Sequence, residues 1–443
     1  MGGGPGHAPA EHELDSARAW IVVAACFAST FVVFGIVYSF GAFFDSMAAD
    51  FGTGKGATAL MFSITTAWYF GLGLVSGKAA DRYGPRPVLV VGALCLGAGL
   101  LITSQVPNIW WGYVTYGLGA GTAVACGYVP MVAVVGGWFE RRRTLALGIA
   151  VAGIGFGTLL CAPLASVLID AHGWRTAYVV FGIGGTLVLL LAALGAHRPP
   201  GHAGSAPANL RHVVRQRPFV VFYVGALLGS TALFVPFVFI KVYATDQGVD
   251  TRLAATLVGL IGASSIVGRL GLGALGARYG SLRLMQASFG MMAVSYLLWL
   301  FAGGNVAMLV AFTIVMGFGY GGFIALSPAV VAVLFGTVGM GAILGAAYTA
   351  AGIGGLIGPP VAGEIIDRIS YEAAIVFAMV LTALSTIVLM FIPNRSTPPP
   401  AVAAGPADRL AGRDAGRPAD RPGGDGVPTD DAAAPVEPAG RDA

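Results

Sequence analysis

Arg269 and Arg278 lie in one otherwise apolar run. If that run is a helix, the two guanidinium groups are about 13 Å apart along its axis. Arg278 sits where the run ends, so Arg269 lies deep within it. A guanidinium is a permanent cation with five donors in a planar fork that fits a carboxylate bidentately. A charge at such depth in a bilayer costs about 2.5 kcal/mol or more and marks a functional site by default. One alternative is snorkelling, which would have to cover most of that depth. Another is a buried acid partner, but the acids of residues 1–395 fall in termini, loops or the last turns of apolar runs. The third is a cavity-facing cation that holds an organic anion.

Other side chains near the middle of apolar runs could complete such a site. Tyr128, just before Pro130, and Tyr348 can donate hydroxyl hydrogen bonds to the same carboxylate. Tyr38 and Ser265 join them as polar candidates, and Phe34 and Phe323 as an apolar wall. Singly, each aromatic is equally suited to packing a core. Metal chemistry has no foothold, because Cys26, Cys95, Cys126 and Cys161 lie singly in four runs. All six His residues fall in termini or loops, so no intramembrane histidine relay is expected. Gly153-x-Gly155-x-Gly157 lacks the preceding strand that a dinucleotide loop requires. Its glycines sit inside one apolar span and read as helix packing. No Walker A sequence is present. No cofactor, nucleotide or nucleic acid is expected, and the chain reads as a non-enzyme.

The composition says what must position these residues. Of 443 residues, 56% are hydrophobic and only 10% charged, with 67 Gly. Soluble domains carry roughly 25% charged residues, so a bundle of membrane-spanning helices is expected. Spans of about 20 apolar residues are placed at 20–44, 57–79, 87–104, 109–137, 144–169, 175–196, 218–244, 253–276, 283–303, 305–335, 340–366 and 371–393. With both termini inside, 14 Lys and Arg fall on the cytoplasmic side and 5 on the other, Arg269 belonging to neither. That bias predicts cytoplasmic termini in a multi-pass plasma (inner) membrane protein.

The polar stretch 197–217 divides the spans six and six, and the halves repeat. Gly77 returns as Gly273 at an offset of 196, and Gly148, Pro163 and Asp170 return as Gly345, Pro360 and Asp367 at 197. Gly117-x-Gly119-x-Gly121 returns as Gly317-x-Gly319-x-Gly321 at 200. Parallel six-helix repeats place a site at the midplane between them. The expected parts are a cytoplasmic segment 1–17, bundles 18–196 and 218–394 joined by the 197–217 loop, and a disordered cytoplasmic tail 395–443. That tail is Pro-, Ala-, Gly-, Asp- and Arg-rich, too poor in apolar residues to offset its ordering entropy.

Gly77-Lys-Ala-Ala-Asp81-Arg82-Tyr-Gly84-Pro-Arg86 resembles the signature loop of the major facilitator superfamily. The resemblance implies that fold: an all-α membrane protein of twelve helices in two pseudo-symmetric bundles. It also implies a latch at the cytoplasmic gate, formed by Gly77, Asp81, Arg82, Gly84 and Arg86. The second copy has Ala277 in place of the acid, so the first should carry the latch. Within the superfamily, Asp15-Ser-Ala-Arg-Ala-Trp20 partly resembles the opening motif of the monocarboxylate transporters. The stretch from Trp138-Phe139 through Arg141-Arg142-Arg143 to Gly153 resembles their helix 4–5 signature more fully, and Ser264 to Arg269 resembles their helix 8 segment. Arg142, Arg143 and Asp367 are added to the expected gating set. Two departures matter: Tyr38 and Ser265 stand where animal members carry Lys and Asp. The expectation is alternating-access transport of a small organic monocarboxylate with proton symport, by a monomer in the lipid bilayer. Carboxylate exchange of the oxalate–formate type is the alternative, and a drug or metabolite exporter a more distant one. With no mid-helix acid or His, the proton should travel with the substrate or bind a gate carboxylate such as Asp45 or Asp81.

Overall fold

The computed structural model describes residues 14–139, 142–199, 210–335 and 340–392. The N-terminal 13 residues, Glu140, Arg141, most of the central loop and the tail expected to be disordered lie outside the described residues, as does the Arg143 side chain. The first group of helices comprises α1 (Ala17–Tyr38), α2 (Phe40–Phe51), α3 (Lys55–Tyr83), α4 (Pro85–Thr103), α5 (Ile109–Gly127), α6 (Val129–Trp138) and α7 (Arg143–Gly195). After the short α8 (Leu210–Val213) come α9 (Arg217–Asp246), α10 (Thr251–Tyr279), α11 (Ser281–Leu300), α12 (Val306–Phe335), α13 (Met340–Arg368) and α14 (Tyr371–Met390).

Among the described residues, ten stretches are long and apolar enough to cross a membrane. One of them covers most of α7, which Gly173 interrupts at φ 81°, ψ 161° so that the chain doubles back. With α11 this accounts for twelve crossings. Two expected spans are each two helices. The span at 20–44 breaks at Ser39, whose hydroxyl donates to the Ile36 carbonyl at 2.7 Å and so competes with the helix ladder. The one at 109–137 breaks at Tyr128, because Pro130 has no N–H to continue the ladder.

Helices α1 and α3–α7 pack among themselves, as do α9–α14. The groups meet where α3 lies on α13, α7 on α10 and α2 on α9. The repeat expected from the sequence is visible in the helices: α3 and α10 are both 29 residues long and end on Gly84 and Gly280 at φ 97° and 89°. On one face of the bundle, here the terminal face, lie the start of α1 and the turns at 84, 139, 197 and 280. The turns near 52, 106, 173, 248 and 369 make up the distal face.

Candidate substrate site and its gates

Arg269 lies on α10 where it meets α7. Its side chain is 96% buried, with 4% relative exposure. Nη1 donates to the Val151 carbonyl of α7 at 2.7 Å, so a cation from the second group is held by the backbone of the first. The guanidinium carbon lies 5.6 Å from the centroid of the Tyr320 ring. Nε and Nη2 are buried without a partner. These two atoms form one edge of the fork, the edge that takes both oxygens of a carboxylate. A buried charged donor without an acceptor is costly, and this edge has the geometry that suits an anion. Neither snorkelling nor an acid partner describes this residue.

The cavity beside it is walled by Phe34 and Tyr38 of α1, Tyr69 and Phe70 of α3, Tyr128, Phe234, Tyr320, Phe323 and Tyr348, with four aliphatic side chains. It encloses about 30 Å³, room for one or two waters. Any organic molecule entering would have to displace these rings. The rings pack edge-on and stacked: Phe34 stands 5.1 Å from Tyr128 and 6.0 Å from Tyr69, and Tyr38 stacks on Phe237 of α9 at 4.4 Å. The Tyr38 and Tyr320 hydroxyls meet at 3.1 Å across the two groups. The Tyr69 hydroxyl is buried and unpartnered.

Of the expected substrate residues, Tyr38, Tyr128, Tyr348, Phe34 and Phe323 converge on this cavity, with Arg269 joined to it through Tyr320. Ser265 is not brought there. Its hydroxyl donates to the Gly262 carbonyl of its own helix at 2.7 Å, and its backbone is pressed against Gly321 of α12. Tyr69 and Tyr320 were not foreseen. Tyr320 sits inside the Gly317–Gly321 run, where a ring among glycines was the available signal. Tyr69 is the counterpart of Ser265 at an offset of 196, so this place in the repeat lines the cavity in the first half only.

The distal side of the cavity is sealed. Above the Tyr38–Phe237 stack, Lys241 Nζ donates to Asp45 Oδ2 at 2.6 Å, linking α9 to α2. Lys55 pairs with Asp246 at 3.2 Å, and Arg252 with Asp170 at 3.7 Å. Asp367 Oδ2 accepts from the Lys55 and Gly56 N–H groups at 2.7 and 3.3 Å, capping α3 where Gly54 offers no side chain. Lys55 and Arg252 are counterparts at 197, as are Asp170 and Asp367, so the same two positions meet in both places, through the Lys55 N–H in one and the Arg252 side chain in the other.

The terminal side is looser. A Cβ built on Gly363 would stand 2.6 Å from the Gly56 nitrogen, and one on Gly355 would collide with Thr66. Nearer the terminal face, one on Gly345 would lie 3.8 Å from Leu74. Between α7 and α10 the gradient repeats, from Gly262 at 2.7 Å from the Gly155 carbonyl to Gly148 at 3.5 Å from Leu270. Asp81, Arg82 and Arg86 are exposed there, and Asp81 has no ion pair among the described residues. Gly84 and the Arg82 carbonyl touch Arg198, and Gly77 faces Val129, all within the first group. The two stretches at 15–20 and 138–142 contact each other. Asp15 accepts from the Arg142 N–H at 3.2 Å, and Trp20 packs edge-on against Phe139 at 5.1 Å.

The sequence matches the Major Facilitator Superfamily over residues 26–303 and 267–422. It is similar to monocarboxylate transporter 3 of Rattus norvegicus, 32% identical over 428 residues, covering 89% of this chain and 85% of that protein. Monocarboxylate transporter 13 of Bos taurus is 30% identical, covering 86% and 90%. Among solved structures, the fold resembles a bacterial homologue of the human lysosomal transporter Spinster in an inward-facing and occupied conformation. The TM-score is 0.69 at 13% identity, over 85% of this chain and 96% of that one.

Proposed function

We propose that this chain, which belongs to the major facilitator superfamily and within it to the monocarboxylate transporters, carries a small organic monocarboxylate across the membrane. The observation that supports this most is Arg269, buried with its Nε–Nη2 edge unpartnered among the described residues and joined through Tyr320 to an aromatic cavity. One fixed cation suits one carboxylate, and the rings suit a short apolar body. Tyr128, Tyr320 and Tyr348 offer hydroxyls to the bound acid. Movement follows from rocking of the six-helix halves 18–196 and 218–394 about this site, within a single chain. The terminal face is cytoplasmic and the distal face external, in the plasma membrane. The conformation described is then closed to the outside, with the Asp81 loop of the inner gate released.

Reporters fused after residues 205 and 400 should read as cytoplasmic, and one at 248–250 as external. An external signal from the 205 fusion would overturn the two-half arrangement. Asp81→Asn removes a charge with little change in volume, so it should alter transport while membrane abundance stays near normal. Wild-type flux from that variant would remove Asp81 from the inner gate.

The cavity wall carries no Asp, Glu, His or Lys. The proton therefore travels with the substrate, as a neutral acid or an anion–proton pair, and substitution of Asp45 or Asp81 changes transport without abolishing its proton dependence. The same inventory favours one other reading, exchange of two carboxylates. Proteoliposome uptake separates them. Symport predicts uptake that rises as external pH falls. Uptake that ignores a pH gradient but is stimulated by carboxylate loaded on the opposite side means exchange.

A further inference from the structure

Lys241 and Asp45 are counterparts at an offset of 196, so each occupies the same place in its own half and the two meet on the axis relating the halves. Lys241 is 5% exposed, while the Asp45 side chain is 42% exposed. A buried ammonium is tolerated only when paired, and here the acid partner comes from the other half. Any motion that opens the distal side pulls α2 from α9 and leaves Lys241 without its carboxylate. Along α9, Lys241 lies one turn beyond Phe237, which stacks on Tyr38 of the cavity wall, and two turns beyond Phe234, which lines the cavity. Seven residues of helix place it about 10 Å outside that wall.

We propose that Lys241 is an outer carboxylate site, taken by the substrate when the distal side is open and by Asp45 when it is closed. The Asp45 carboxylate is then an internal stand-in for the substrate. It competes for Lys241, and displacement of the substrate from Lys241 toward Arg269 is what allows Asp45 to return and seal the gate. This rests on the monocarboxylate reading above and adds to it a second cation that acts from one side only.

A mere latch and a binding site make opposite predictions for the two partners. If the pair only latches, Asp45→Asn and Lys241→Gln break the same bond and shift transport in the same direction. If Lys241 binds substrate, Lys241→Gln should raise the external KM about tenfold, and Asp45→Asn, by removing the competitor, should lower it several-fold. Lys241→Arg keeps the charge and should recover most of the external affinity lost in Lys241→Gln, a rescue that a folding defect at this position would not show. The measurement is uptake of labelled propionate, lactate and pyruvate into right-side-out vesicles, with inverted vesicles giving the KM from the inner side. Opposite external shifts with an unchanged inner KM support the proposal. Shifts in the same direction, no shift, or equal changes on both sides overturn it. If the wild type takes up none of the three probes, the monocarboxylate reading fails and the proposal fails with it. Uptake by the wild type with same-direction shifts removes this proposal alone.

Discussion

Arg269→Gln is expected to lose carboxylate binding by a hundredfold or more while the helical content stays at the wild-type level. The substitution removes both the charge and the planar fork whose Nε and Nη2 are buried without a partner among the described residues. Removing one member of a buried, hydrogen-bonded charge pair costs about 3 kcal/mol or more, and each 1.4 kcal/mol is tenfold in affinity. Arg269→Lys keeps the charge but loses the fork and the Nη1 bond to Val151, so an intermediate loss is expected. Equilibrium binding to purified protein measures this without requiring turnover. The bond to Val151 adds a second consequence. Because it ties α10 to α7, the Gln variant should also loosen the contact between the halves, seen as faster amide exchange near Val151. Wild-type affinity in the Gln variant would place the substrate elsewhere.

The second large effect concerns the contact between halves. Gly155→Val sets a branched side chain against Ile266 and the Gly262 carbonyl, where even a Cβ does not fit. Overpacking of this kind costs about 1–3 kcal/mol, and here only the distal-closed conformation bears it. A shift of that size changes the ratio of conformations by roughly fivefold to more than a hundredfold. The expected outcome is a protein that reaches the membrane but rests open to the outside, with transport down at least tenfold. Gly345→Ala, whose new methyl meets Leu74 at an ordinary 3.8 Å, should transport normally. A cysteine placed near the distal gate and titrated with an impermeant thiol reagent reports the difference. Equal labelling of the two variants would mean that the glycine gradient does not set the closed state.

The spans, the repeat and Arg269 were legible in the sequence because each rests on a long pattern. Apolar length, a constant offset near 197 and a charge amid apolar residues all survive ignorance of how a helix is rotated. The aromatic wall was only partly legible. Whether Tyr69, Tyr320 or Ser265 faces the cavity depends on the rotation of α3, α12 and α10, and nearly uniform apolarity around each helix leaves that undetermined. Ser265 shares a helix face with Arg269 by spacing, yet its backbone is packed against Gly321 and its hydroxyl is turned to the Gly262 carbonyl. Only the longer Arg269 side chain reaches Tyr320 on the cavity wall. The breaks at Ser39 and Tyr128 were not read as helix ends, although Pro130 made the second one foreseeable. The distal ion pairs Lys241–Asp45, Lys55–Asp246 and Arg252–Asp170 join side chains from different halves. Only Asp45 and Lys241 are related by the repeat offset; the Lys55–Asp246 and Arg252–Asp170 pairs are not, and depend on how the halves are brought together.

The central claim is that the cavity beside Arg269 carries a monocarboxylate because it is a carboxylate. The most direct measurement is uptake into proteoliposomes of labelled propionate against propionamide, equal in shape but without charge, at fixed internal pH and with protein-free liposomes as the baseline. Protein-dependent, saturable uptake of propionate that unlabelled lactate or pyruvate competes away, with none of propionamide, is the predicted result. Protein-dependent uptake of both to the same extent, or of neither, would contradict it.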